Sequence, residues 1–123
     1  MNNKINTYRD LIVWQKSMDL CELVYLATQE YPKSELYGLT SQIRRCSISI
    51  PSNIAEGFQR HYKTEYVQFL YISFGSGAEL ETQLEISLRV GYLEKDKFDE
   101  LNILLQEVMK MLNSLVSKLE NRR

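Results

Sequence analysis

Two clusters of basic side chains are the groups in this sequence best suited to bind a ligand. Arg44 and Arg45 form the first cluster, and Arg60, His61 and Lys63 form the second. Aromatic residues follow the second cluster, and rings interleaved with cations can stack on unpaired bases while the cations bind phosphates. This pattern indicates a site for RNA or single-stranded nucleic acid. Ion pairing with acidic neighbours explains the same five residues, and the sequence leaves both interpretations open.

Catalytic and metal-binding chemistry has little support in the residue types. His61 is the only histidine, so a di-iron bundle, which needs a Glu-x-x-His motif on each of two helices, is excluded. Cys21 and Cys46 lie on apolar faces of different predicted helices, a placement typical of buried thiols in a reducing compartment. We therefore expect no catalytic residue, no metal ligand and no cofactor, and a cytoplasmic location.

The segment from Tyr37 to Arg60 has a polar face of unusual composition. Exposed helix surfaces favour long charged side chains, whereas Ser and Asn weaken a helix and need tertiary support. At about 100° per residue, small polar groups share a stripe opposite the apolar residues. This stripe is predicted to face another protein surface or a ligand, and its members are Ser49, Ser52, Asn53 and Glu56.

Apolar residues recur at three- and four-residue steps along most of the chain, which predicts four helices within a single domain of residues 1–123. Asp10 and Thr64 are the expected N-caps of the first and third helices. Short connectors favour an all-α, antiparallel up-down-up-down four-helix bundle. The helices are expected at about residues 10–30, 40–60, 64–90 and 95–121.

Pro51 lies inside the second predicted helix. An interior proline costs ~3 kcal/mol and removes one backbone hydrogen bond. The apolar register nevertheless continues in phase from Ile43 to Ile54, which favours one helix kinked at Pro51. An alternative interpretation treats residues 47–50 as a short alternating strand, although a lone strand would have no partner.

The third predicted helix contains two glycines and several acids. Gly75 and Gly77 each cost ~1 kcal/mol relative to alanine in a helix, so both predict a close crossing with another backbone. Three glutamates are expected either to pair with Arg44, Arg45 or Arg89 or to lie on a solvated face, and these are Glu79, Glu81 and Glu85.

Composition limits the possible partners. The chain has 123 residues, and its 15 basic and 16 acidic residues nearly balance. Phosphate binding would therefore depend on local clusters of cations. With no apolar stretch of about 18 residues, neither a membrane span nor a signal peptide is expected. A chain of this size is only modestly stable alone, and its first helix is apolar over more than one stripe, so self-association is expected.

Short motifs along the chain resemble a known family. They are YGL at 37–39, QIRR at 42–45, SIPSNIAEG at 49–57, GS at 75–76 and ELETQL at 79–84. Over roughly residues 8–93 the chain resembles the four-helix-bundle proteins encoded within intervening sequences of bacterial 23S rRNA genes. It is also similar in pattern to the accessory variability determinant of diversity-generating retroelements. Two positions depart from the family pattern: Cys46-Ser47 replaces a more common alanine pair, and Gly77 replaces a larger apolar residue.

The resemblance implies a helical bundle that assembles as a ring, with a homopentamer expected, and with nucleic acid or a reverse transcriptase as partner. It implies no settled biochemical activity. The leading hypothesis is a non-enzymatic homo-oligomer that presents basic residues to RNA or single-stranded DNA, because several copies on one ring gain through effective concentration. The alternative is a protein scaffold or adaptor, for example for a reverse transcriptase, that binds no nucleic acid.

Overall fold

The computed structural model describes residues 4–121, and these residues form an all-α fold as predicted. Every observed helix boundary lies within two residues of its expected position. Two short 3-10 turns, Tyr8–Asp10 and Lys33–Glu35, precede the first and second helices. The helices are α1 (Ile12–Thr28), α2 (Leu39–Phe58), α3 (Lys63–Arg89) and α4 (Lys95–Asn121).

Each helix contacts two others, which closes a four-helix bundle. Helix α1 packs on α2 and α4, and α3 packs on the same two helices from the opposite corner. Ser49 in α2 hydrogen-bonds Ser76 in α3, whereas Gly57, two turns further along α2, lies against Tyr66 near the start of α3. Residue numbers therefore increase along α2 in the direction in which they decrease along α3. This is the order that the predicted antiparallel arrangement requires of these two helices.

Aliphatic side chains fill the space between the four helices. They recur at the three- and four-residue spacing that places one stripe of each helix inside. Burying one such side chain stabilises the fold by about 1.5–3 kcal/mol relative to leaving it exposed. The largest fully buried side chains include Leu20 in α1, Ile43, Ile50 and Ile54 in α2, Leu70, Leu80 and Leu84 in α3, and Leu101, Leu105 and Leu112 in α4.

Helix α2 continues without interruption through Pro51, so the strand interpretation of residues 47–50 is wrong. Proline has no N–H to donate to the carbonyl four residues earlier, which belongs to Ser47. The thiol of Cys21 in α1 lies 2.9 Å from that carbonyl oxygen and donates to it. Contact with α1 therefore satisfies the backbone acceptor that proline leaves unpaired. The kink at Pro51 stays a prediction.

The helix ends differ in detail from the expected caps. Asp10 does not cap α1, because its carboxylate accepts two backbone N–H bonds in the turn that precedes the helix. Helix α3 begins one residue before Thr64, with Tyr62 at its N-cap position. After α3, Gly91 adopts a φ of 85°, which a glycine reaches without strain, and it ends the helix as predicted.

A Cβ atom added to each of three helical glycines would have different neighbours. At Gly57 the added atom would lie 2.7 Å from Cβ of Phe69, and at Gly77 it would overlap the Met109 sulfur. Gly57 therefore permits the close approach of α2 to α3, and Gly77 that of α3 to α4. At Gly75 nothing lies within 4 Å, so the crossing predicted there is wrong for the isolated chain.

In the described part of the chain, no helix combines the length and the apolar character needed to cross a bilayer.

Candidate nucleic-acid interface

Arg44 and Arg45 lie in the first half of α2, where α2 faces α1 and the α1–α2 connector. They line an open groove of about 460 Å³, which we call the Arg44 groove. The apolar and aromatic side chains of this groove come from α1, the connector and α2. Its lining residues are Tyr25, Leu36, Tyr37, Thr40, Ser41, Arg44, Arg45 and Ile48.

Arg44 is held in place by two contacts with α1. Its Nε donates to Oγ1 of Thr28 at 2.9 Å, and its guanidinium carbon lies 4.6 Å from the ring centroid of Tyr25. These contacts leave both terminal nitrogens of the guanidinium group without a hydrogen-bond partner among residues 4–121. An arginine whose side chain is already ordered loses little conformational freedom when it binds an anion.

No carboxylate oxygen of the described chain lies within 4.0 Å of a guanidinium nitrogen of Arg44 or Arg45. Of the ion pairs expected for the acids of α3, the structure contains Glu85 with Arg89 at 3.0 Å. Glu81 instead accepts a hydrogen bond from Gln106 in α4. The charges of Arg44 and Arg45 are therefore uncompensated by a direct ion pair within the described residues.

Two further residues of the Arg44 groove were missed by reasoning from the sequence. Tyr37 is 94% exposed, so its ring is stabilised by almost no packing within the chain. Thr40 is only 3% exposed, and its hydroxyl has no hydrogen-bond partner among the described residues. An aromatic residue in a connector, two residues before a helix begins, is the sequence signal that could have singled out Tyr37.

The second basic cluster lies at the junction of α2 and α3 and has a different electrostatic setting. Arg60 is 2.9 Å from a carboxylate oxygen of Glu56 and 3.9 Å from one of Glu65. Its guanidinium carbon also lies 4.7 Å from the ring centroid of Phe69. Of the two interpretations left open, ion pairing therefore describes Arg60. Glu56 and Arg60 are spaced i, i+4, which was visible in the sequence.

His61, Lys63 and Tyr62 are exposed at the same junction, where the carboxylates of Glu56 and Glu65 reduce the positive potential. Tyr66, one turn into α3, packs against the core instead, and burial raises the pKa of its hydroxyl to about 12. The first basic cluster lies at the Arg44 groove and the second at the α2–α3 junction, so the structure does not bring the two clusters together.

The four residues of the predicted docking stripe have separate environments. The hydroxyl oxygens of Ser49 and Ser76 are 2.8 Å apart, across the α2–α3 contact. The Asn53 amide donates to the Ser49 carbonyl at 2.8 Å and to its hydroxyl at 3.0 Å. Ser52 is exposed and lines a groove between α1 and α2, and Glu56 pairs with Arg60. Ser49 and Asn53 therefore use hydrogen bonds within the chain.

Neither thiol has the properties of a nucleophile. Burial raises the pKa of Cys21 to about 11, although its contact with Ser47 acts in the opposite direction. Burial, followed by the hydrogen bond and charge of Glu79, raises the pKa of Cys46 to about 11. Reactive cysteines have lowered pKa values that favour the thiolate, so both groups stay protonated and unreactive at neutral pH.

Comparisons with known proteins agree with the fold. The profile of the 23S rRNA-intervening sequence protein family matches residues 9–114. One similar solved structure is that of a protein of unknown function from the S23 ribosomal protein family of Bacteroides thetaiotaomicron. It superposes with a TM-score of 0.79 at 25% sequence identity, over 86% of this chain and 96% of that one. No curated protein matches the sequence. The similarity to the retroelement determinant stays a prediction.

Proposed function

The chain belongs to the 23S rRNA-intervening sequence protein family, and from this starting point we propose that it is a non-enzymatic homo-oligomeric bundle that binds RNA or single-stranded DNA through Arg44 and Arg45. The observation that supports this most strongly is the pairing of two arginines at one groove with no carboxylate ion-pair partner in the described chain. Cations without an internal counterion favour phosphate binding, because release of condensed counterions then drives association.

Self-association is supported by the outer face of α3. Ile72 and Ile86 are each about half exposed and lie with Gly75 on one stripe, at spacings of three and eleven residues, and Val90, the residue after the helix, is also about half exposed. Gly75 weakens the helix by ~1 kcal/mol relative to alanine, and nothing within the described chain packs against it. A second copy that approaches closely at Gly75 accounts for both features. The subunit count that we expect, a pentamer, comes from the family resemblance.

Oligomerisation compensates for the small number of phosphate contacts in each subunit. Two arginines per chain bind a strand weakly, but several grooves on one assembly raise the effective concentration of the strand at each groove. His61 and Lys63 of the second cluster are exposed and would add phosphate contacts at the α2–α3 junction. We place the protein in the cytoplasm as part of this proposal, because Cys21 and Cys46 are both free thiols.

A protein scaffold, such as an adaptor for a reverse transcriptase, is the second candidate function. It is favoured by a groove of about 350 Å³ between α1 and α2, which includes Trp14, Met18, Pro51 and Ser52 in its lining. Apolar side chains at an open groove suit a protein partner better than a phosphate backbone.

Binding of a fluorescent single-stranded RNA at two salt concentrations, combined with mass measurement with and without that RNA, separates the two functions. The nucleic-acid function predicts an affinity that falls steeply as the salt concentration rises. It also predicts that adding RNA increases the measured mass of the protein by that of one or more RNA strands. An oligomer that binds no single strand at low salt would leave the scaffold as the surviving candidate.

A further inference from the structure

We propose that the Arg44 groove takes one unpaired nucleotide of a strand, whose base stacks on Tyr37 and whose two flanking phosphates are bound by Arg44 and Arg45. This inference rests on the proposed nucleic-acid function and adds a specificity to it, namely preference for an exposed base over a paired one. Tyr37 and Thr40 are additions to the nucleic-acid site predicted from the sequence, which consisted of basic residues.

Tyr37 provides a stacking surface that has no role within the isolated chain. Because the residue is 94% exposed, its ring makes almost no contribution to the core. Other tyrosines of the chain pack instead: Tyr31 and Tyr92, for example, have ring centroids 5.6 Å apart. Stacking of one base on an aromatic side chain is worth about 1–3 kcal/mol and tolerates any base, since every base has a π-face.

The two arginines supply the charge that the two flanking phosphates require, at the same groove as the ring. Contacts with Thr28 and Tyr25 order the side chain of Arg44, while both of its terminal nitrogens keep their donors unused within residues 4–121. Arg45 is exposed beside it and brings a second charge. Guanidinium donors with this freedom bind phosphate oxygens in pairs.

The remaining walls fit a nucleotide better than a free anion. Leu36 and Ile48 are each nearly half exposed and offer apolar contact to a base. Thr40 also lines the groove, and its buried hydroxyl lacks a hydrogen-bond partner in the described chain. A polar group of the ligand would pair with this hydroxyl once the side chains that cover it moved slightly apart. The groove volume of about 460 Å³ lies within the usual range of small-ligand sites, about 300–1,000 Å³.

A duplex does not meet these requirements, because its bases are stacked on one another and only its phosphates face outward. Stacking on Tyr37 therefore needs a single strand, a loop or an extruded base. An acidic peptide could engage the arginines, but its carboxylates would leave the exposed ring unused.

Two probes of equal charge test this inference on the full-length protein. One is a short single-stranded oligonucleotide, and the other is the same backbone with every base replaced by an abasic unit. We expect wild-type protein to bind the strand with bases about tenfold more tightly, which corresponds to about 1.4 kcal/mol of stacking. Tyr37→Ala should remove that difference and keep the salt dependence and the melting temperature. Tyr37→Phe should retain the difference.

Tyr62→Ala is the matched control, because Tyr62 is 68% exposed but lies at the other basic cluster. It should keep the tenfold preference. Equal, salt-dependent binding of both probes by wild-type protein would overturn the nucleotide site and leave the proposed nucleic-acid function intact. Absence of salt-dependent binding to either probe would overturn both. Displacement of the strand by polyglutamate at equal charge and equal affinity would also overturn the inference, in favour of an acidic protein partner.

Discussion

The Cys21 thiol and the Ser47 carbonyl oxygen are 2.9 Å apart, and this hydrogen bond joins α1 to the one acceptor in α2 that Pro51 deprives of its helical donor. The proline and the cysteine lie on different helices, thirty positions apart in the sequence. Their relationship explains how α2 remains continuous through an interior proline.

Removal of the thiol should cost more while the proline is present. Cys21→Ala leaves the Ser47 carbonyl unpaired, which should lower the free energy of unfolding by about 1–3 kcal/mol. In a Pro51→Ala background the new N–H pairs with that carbonyl, so the same substitution should cost less, by about 0.5–2 kcal/mol. Urea denaturation of the four proteins measures this coupling. Cys46→Ala should cost the same in both backgrounds, and an equal cost of Cys21→Ala in both would contradict the account.

The two helix crossings should respond differently to an added methyl group. Gly57→Ala should lower the free energy of unfolding by about 1–3 kcal/mol, because Cβ of Phe69 and the backbone oxygen of Tyr66 cannot easily move away. Gly77→Ala should cost less, because the methionine opposite can change rotamer.

Met109→Ala provides the matched test of these crossings. It should relieve the cost of Gly77→Ala, since the Met109 sulfur is the group that the new methyl meets, and should leave the cost of Gly57→Ala unchanged. Thermal unfolding monitored by circular dichroism gives both values. Relief of the Gly57 variant, or none of the Gly77 variant, would show that the helices cross elsewhere.

The thiols of the half-buried Cys21 and the buried Cys46 should make the fold sensitive to alkali. Both pKa values are raised from 9.0 to about 11, so the unfolded chain loses these protons first as pH rises. The stabilising contribution is therefore complete below pH 9 and is lost progressively between pH 9 and about 11. Cys46→Ala should show a shallower fall in melting temperature over that interval. Parallel curves for the two proteins would mean that the thiol ionises freely in the folded state.

Self-association should depend on the outer face of α3. Sedimentation of wild-type protein should give a mass well above the 14.5 kDa of one chain. Gly75→Leu should leave the fold intact, because nothing in the described chain lies within 4 Å of the added Cβ, but should weaken assembly. Ile103→Ser, at an exposed site on α4, is the control and should keep the wild-type mass. A wild-type monomer would contradict the proposal, and a dimer would remove the ring.

Reasoning from the sequence located the helices because their apolar periodicity depends only on local spacing, and Gly91 ended α3 where it was expected. Contacts between helices could not be predicted in the same way. The roles of Gly75 and Gly77 depend on the rotation of α3 against α4, and two residues of helix turn the side chain by about 200°. The bond between Cys21 and Ser47 likewise depends on the register of α1 against α2.

The candidate site was predicted in part. Arg44 and Arg45 were recognised by charge, but their environment was not, because the distance of the described carboxylates from them follows from the packing of the helices. For Arg60 the sequence did contain the necessary information, because its ion-pair partner Glu56 lies four residues earlier. Glu56 was assigned to a docking face instead. Tyr37 was missed because exposure of a connector residue depends on the path of the chain.

The most direct test of the central claim compares the salt dependence of binding to single-stranded RNA for two charge-matched variants. The first is Arg44→Ala with Arg45→Ala, and the second is Lys95→Ala with Lys97→Ala, which removes two exposed lysines that pair with Asp99 and Glu100 on α4. Each variant has two positive charges fewer than wild-type protein, and their masses and melting temperatures are measured alongside.

The arginine variant should bind the strand more weakly, because each bound segment then has two phosphates without a cation partner. Its slope of log K against log salt should fall by ~1.4, or ~0.7 per phosphate. The lysine variant should retain the wild-type slope within error. Equal slopes for the two variants, or wild-type protein whose affinity for the strand does not change with salt, would contradict the assignment of Arg44 and Arg45 as the phosphate-binding residues.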